Sequence, residues 1–163
     1  MTNNQMFEVL FLCTGNSCRS ILSEAFLNHI GHGRLKAYSA GSAPKKEVNA
    51  YALKILMREG ISTSGLYSKS LNEFTHKHFD LVVTVCDDAK GESCPLFMGE
   101  APIQLHWGVP DPALSTGTDE EILAEFERIF TILKRPIKEL AEMPAAKLHD
   151  LNNLKKLQVS YDD

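Results

Sequence analysis

The segment Cys13-Thr14-Gly15-Asn16-Ser17-Cys18-Arg19-Ser20 constrains this chain more than any other. It follows a short apolar run, EVLFLC at 8–13, the pattern of a strand buried on both faces. It precedes Ile21, Leu22, Ala25, Phe26 and Ile30 at helical spacing, with Gly31 and Gly33 to close the helix. A cysteine thus ends a strand, a tight polar loop follows, and an arginine opens a helix. Successive backbone N–H groups of such a loop turn inward, and the helix N-terminus adds partial positive charge. Arg19 offers a planar fork that matches a tetrahedral oxyanion. Gly15 permits backbone conformations that other residues resist. These surroundings favour a thiolate at Cys13, so residues 13–20 read as an anion cradle with a nucleophile at its base. Outside that setting, Cys-x5-Arg is a common chance pattern, a packed thiol and a surface charge.

The remaining chain supplies alternating strands and helices. A second strand is expected over 35–39 and a helix over 47–59, with Val48, Ala52, Ile55 and Leu56 on one face and Gly60 at its end. A short helix is expected near 72–78, and DLVVTVC at 80–86 is the clearest buried strand. A fourth strand follows at 103–106, then a Gly/Pro loop at 106–112. The capping-box residues Thr118 and Glu121 start a long helix striped by Ile122, Phe126, Ile129, Phe130, Leu133, Ile137 and Leu140, with a kink expected at Pro136.

This order predicts an α/β fold: a single domain with a four-stranded parallel sheet and helices on both faces. Residues 1–144 form the domain and 145–163 a polar tail, in which Leu148, Leu151 and Leu154 fall three apart. Ligands of such sheets bind at the carboxyl ends of the strands. Cys13, Cys86 and Pro110-Asp111-Pro112 each follow a strand at that end, so three distant segments are predicted to meet. Trp107 either lines the mouth of that site or packs beneath it.

Charge excludes some partners. Lys plus Arg number 17 against 21 Asp plus Glu, a net charge of −4, so no global field attracts nucleic acid or an anionic membrane. No apolar run approaches the roughly 20 residues of a membrane span, and the N-terminal residues lack a secretory pattern. The expected compartment is the cytoplasm, where Cys13, Cys18, Cys86 and Cys94 stay reduced and read as catalytic or metal-binding rather than structural. Neither Cys13-x4-Cys18 nor Cys86-x7-Cys94 is the usual short zinc clip, so no metal and no cofactor is expected.

VLFLCTGNSCRS resembles the phosphate-binding loop of the low-molecular-weight protein tyrosine phosphatases and of the arsenate reductases that share their fold. The likeness continues in Tyr38-Ser39-Ala40-Gly41, in 80–86 and in Asp111-Pro112, and spans roughly 7–143. It implies that Cys13 is the nucleophile, that Arg19 binds the oxyanion and that Asp111 is the general acid. The oxyanion would lie against Thr14, Gly15, Asn16, Ser17, Cys18 and Arg19, with Ser20 placed to hydrogen-bond the thiolate. Three features lean towards the reductases. Cys86 ends a strand beside Cys13, with Cys94 eight positions on. His106-Trp107-Gly108-Val109-Pro110-Asp111-Pro112-Ala113 is similar to the corresponding reductase stretch. Ala113-Leu114 stands where the phosphatases usually carry tyrosines.

The resemblance therefore implies reduction of arsenate to arsenite through a Cys13/Cys86/Cys94 disulfide cascade, with thioredoxin or glutaredoxin as reductant. A phosphatase acting on phosphotyrosine or small phosphoesters through a Cys13 phosphoenzyme is the alternative, and a low-molecular-weight thiol is a further possible reductant. Several thioredoxin-coupled members hold potassium beside the loop with an Asn, a Glu, a Ser and an Asp. Asn16, Glu24 and Ser39 match three of these, but Lys69 aligns with the Asp, so no ion requirement is expected.

Overall fold

The apolar run before Cys13 becomes an inner strand of a parallel sheet. The computed structural model describes residues 6–87, 97 and 99–160. Its strands are β1 (Phe7–Cys13), β2 (Leu35–Gly41), β3 (Leu81–Thr84) and β4 (Ile103–His106), in the order β2-β1-β3-β4. All three pairings are parallel, and Cys13 stands opposite Gly41, Leu12 opposite Thr84 and Thr84 opposite His106. The register brings the carboxyl ends of all four strands to one edge, the edge where α/β sheets place their ligands.

Alternation along β1 sends side chains to two cores. Val9, Phe11 and Cys13 join a cluster with Leu22 and Phe26 of α1 (Arg19–Ile30), Ile55 and Leu56 of α2 (Ala50–Arg58), and Phe126 and Phe130 of α3 (Asp119–Glu142). Leu10 and Leu12 face the other way, against Val82, Phe79 and Phe97, with Leu71 and Phe74 from a 3-10 helix, Leu71–Phe74. Helical structure thus covers both faces, but unevenly among the described residues: α-helices on one, a 3-10 turn and an aromatic cluster on the other. Each fully buried Phe or Leu contributes about 1.5–3 kcal/mol against leaving it exposed.

Local chemistry sets where the elements stop. α2 starts at Ala50, later than the apolar spacing predicts, because Asn49 is its N-cap and accepts from the N–H of Tyr51 at 2.8 Å and of Ala52 at 3.4 Å. The helix expected near 72–78 is instead the 3-10 turn, capped by Ser70. The capping box at Thr118 and Glu121 is complete, with both reciprocal bonds made, at 3.1 and 3.0 Å. α3 runs 24 residues, and Pro136 sits inside it without ending it.

Residues 145–157 fold back onto the domain. α4 (Ala145–Leu148) and α5 (Leu151–Leu154) are short, and Leu148, Leu154 and Leu157 are buried in the same core as α1 and α3. The indole Nε1 of Trp107 donates to the Leu157 carbonyl at 2.9 Å. Among the described residues, no helix is long and apolar enough to cross a membrane.

Candidate active site

The loop after β1 is held from outside by its own carbonyl groups. Thr14 O accepts from Ala43 N–H, Gly15 O from Lys45 N–H and Ser17 O from Asn49 N–H, each at 2.9 Å, and Asn16 O accepts from Ser68 Oγ at 2.8 Å. In a planar trans peptide the carbonyl and the following N–H point in opposite directions. Tying these four carbonyls outward therefore turns the N–H groups of Gly15, Asn16, Ser17 and Cys18 inward. The Asn16 N–H shows that direction, donating to Cys13 Sγ at 3.2 Å. Gly41 makes the close approach possible: a Cβ there would come within 2.5 Å of Thr14 O.

Cys13 lies at the base of this cradle, 2% exposed. Its sulfur is 2.9 Å from Ser20 Oγ. Asn16 Nδ2 donates to the same Oγ at 2.8 Å and to Ser39 Oγ at 2.9 Å, so the Ser20 proton is available for the sulfur. Asn16 Oδ1 accepts from Lys69 N–H at 2.8 Å. Asn16 is fully buried with φ of 46°, a left-handed conformation that Asn tolerates better than most residues. Its backbone and side chain together tie loop, β2 and the 67–69 segment into one frame.

Arg19 is 2% exposed and opens α1. One guanidinium nitrogen donates to Val109 O at 3.0 Å and another lies 3.7 Å from Asp111 Oδ2. Asp111 caps the 3-10 helix Pro112–Leu114, its Oδ1 accepting from Ala113 N–H at 3.0 Å. The same oxygen accepts from Cys18 Sγ at 3.5 Å. Burial, reinforced by the negative charges of Asp111 and Cys13, pushes the Cys18 thiol up to about 12. Cys18 is therefore a thiol donor at neutral pH. Iodoacetamide at pH 7 should modify Cys13 before Cys18, with inorganic phosphate slowing the reaction. Peptide mapping by mass spectrometry that found Cys18 labelled first would contradict the arrangement.

Behind the cradle lies a buried ion pair. Lys69 Nζ donates to Tyr67 O at 2.8 Å and to Ser39 Oγ at 3.4 Å, and sits 3.5 Å from Glu24 Oε1. Ser39 Oγ donates to that same carboxylate oxygen at 2.5 Å. Burial raises the Glu24 carboxyl above its ordinary value, while Lys69 and Ser39 pull it back. These residues do not suit a bound potassium ion, because the Lys69 ammonium already sits beside both Glu24 and Ser39.

Cys86 follows β3 and is fully buried. Val85 N–H donates to Leu12 O at 2.8 Å, which brings this strand end alongside the start of the cradle. Cys86 is disulfide-bonded, whereas Cys13 and Cys18 are both free. Cys94 lies outside the described residues. His106 has a strand-end role, its Nδ1 2.7 Å from Thr84 Oγ1. Trp107 packs, at 1% exposure. No three His, Cys, Asp or Glu side chains cluster as metal ligands among the described residues.

The structure thus brings 13–20, 109–111 and the end of β3 to one edge. What the sequence did not signal is the outer frame, Ala43, Lys45 and Asn49. Their contribution is a backbone N–H, which every residue except proline carries.

Comparison with known proteins agrees with this geometry. The family described as low molecular weight phosphotyrosine protein phosphatase matches residues 8–156. An arsenate reductase of Bacillus subtilis is 37% identical over 134 residues, covering 82% of this chain and 94% of the relative. A solved arsenate reductase in the phosphate binding state superposes with a TM-score of 0.70 at 26% identity, covering 83% of this chain and 97% of that one. The thioredoxin-dependent arsenate reductase of Corynebacterium glutamicum gives 0.57 at 27% identity, covering 85% and 65%. By sequence, by sheet order and by the loop that ends its first strand, the chain belongs to the low molecular weight phosphotyrosine protein phosphatase family.

Proposed function

We propose that the protein is an arsenate reductase working in the cytoplasm through three thiols. The observation that carries the reading is the state of the cysteines: beside a cradle with a free Cys13, Cys86 is oxidised and bonded to neither free thiol. A phosphatase, which resolves its intermediate with water, has no use for a disulfide at this strand end.

The inward N–H groups and Arg19 hold the arsenate oxygens. The Cys13 thiolate attacks arsenic, and Asp111 gives a proton to the departing oxygen, leaving a Cys13 sulfur–arsenic(V) adduct. A Cys86 thiolate then attacks Cys13 Sγ. A sulfur–sulfur bond forms, the sulfur–arsenic bond breaks, and its electron pair stays on arsenic, which leaves as arsenite. Cys94 attacks Cys86 and frees the Cys13 thiolate. The Cys86–Cys94 disulfide accepts two electrons from an external dithiol, for which thioredoxin is the proposed donor. That partner is supported by the relative named thioredoxin-dependent.

Arsenate added with thioredoxin, thioredoxin reductase and NADPH should drive NADPH loss that vanishes in Cys13→Ser, Cys86→Ser and Cys94→Ser. Steady aryl-phosphate hydrolysis that survives Cys86→Ser and Cys94→Ser, without arsenate turnover, would assign the protein to phosphoester hydrolysis instead. Slow hydrolysis alone would not, since the cradle accepts phosphate as readily as arsenate.

Lys69 carries a separate expectation. With its ammonium built in, replacing KCl by NaCl at equal ionic strength should change kcat/KM by less than about twofold, a difference of about 0.4 kcal/mol. A strong preference for potassium would show that Lys69 does not supply the cation.

A further inference from the structure

The C-terminal segment reaches the loop that carries Asp111 through the indole of Trp107. Trp107, the only tryptophan of the chain, continues β4, its N–H donating to Thr84 O at 2.8 Å. Its ring centroid lies 6.2 Å from that of Phe11, which precedes Cys13 by two residues on the same face of β1. On its other side the indole N–H reaches the Leu157 carbonyl, with Leu154 and Leu157 buried in the same core. Two residues after Trp107, the Val109 carbonyl receives Arg19, and two residues later stands Asp111. The 107–111 loop is therefore pinned at its start by the tail and at its middle by the catalytic arginine.

We propose that residues 145–157 are the positioning element of this loop: by clamping Trp107 they hold Val109 against Arg19 and Asp111 over the cradle. The inference rests on the role given above to Asp111 as proton donor. The cradle amides are held by Ala43, Lys45, Asn49 and Ser68, not by the tail, so undocking the tail leaves those amides in place and displaces the acid.

The full chain carrying Leu154→Asp and Leu157→Asp tests this. Trp107 emission should move to longer wavelength and become quenchable by acrylamide. Amide exchange should accelerate at 107–111 and not at 14–18. The kcat for arsenate should fall by at least about tenfold with KM changed by less than about threefold. Unchanged exchange at 107–111, or unchanged kcat with shifted emission, overturns the proposal. If that variant does not fold, Trp107→Phe in the full chain decides: it keeps a ring and removes the N–H. A several-fold loss of kcat at unchanged affinity for inorganic phosphate supports the clamp, and unchanged kcat overturns it. Should the unaltered protein fail to reduce arsenate, the reductase reading falls, while the exchange and phosphate-affinity measurements still judge the clamp.

Discussion

Arg19→Lys should lower kcat/KM for arsenate by about a thousandfold, a loss of about 4 kcal/mol in transition-state stabilisation. The substitution keeps the charge and removes the geometry. The guanidinium is buried, spends one nitrogen on the Val109 carbonyl at 3.0 Å and sets another 3.7 Å from Asp111. An ammonium has one nitrogen, and cannot hold the 107–111 loop while offering a planar pair of donors to an oxyanion. Steady-state kinetics with arsenate, alongside calorimetric titration with phosphate, would measure both effects. A fall of less than about tenfold would mean that Arg19 acts as a point charge alone.

Asn16→Ala should be the most destabilising single change near the site, by about 3–5 kcal/mol. It removes three buried hydrogen bonds, to Ser20, Ser39 and the Lys69 N–H. The Lys69 N–H loses its acceptor in a buried place, which alone costs about 1–3 kcal/mol. The alanine must also hold the left-handed φ of 46°, for about 1–2 kcal/mol more. Thermal unfolding should then move down by on the order of 10 °C, using about 2–4 °C per kcal/mol for a chain of this size. Asn16→Gly separates the two causes, because it relieves the backbone and not the lost bonds. Equal melting temperatures for the two variants would show that the backbone conformation contributes nothing.

The parts legible in the sequence are those where a residue's type dictates its use. The strand–loop–helix at 8–30 could be read because an apolar run, a glycine-bearing loop and an apolar stripe each carry their own signal, and the structure has β1 and α1 there. Asp111 could be placed near the loop after Cys13 because both follow parallel strands, and it stands there against Cys18 and Arg19. Three features were hidden for different reasons. The start of α2 was set by the Asn49 cap rather than by apolar spacing, and by a bond from Asn49 N–H to Ser17 O that no local pattern encodes. The tail looked polar because, among its described residues, only Leu148, Leu154 and Leu157 bury, and three leucines at loose spacing do not announce a partner. Cys18 is buried, at 4% exposure, and its thiol reaches Asp111, a contact 93 residues away in sequence that no local pattern announces.

The outward-tied carbonyls have a consequence for how fast the protein can work. A loop whose shape depended on its guest would have to reorder at each capture, and would lose part of the interaction free energy to that ordering. Here the scaffold from 43 to 49 and Ser68 fixes the dipoles during folding, before any anion arrives. Encounter with the cradle can then be limited by diffusion rather than by rearrangement of the 14–18 loop.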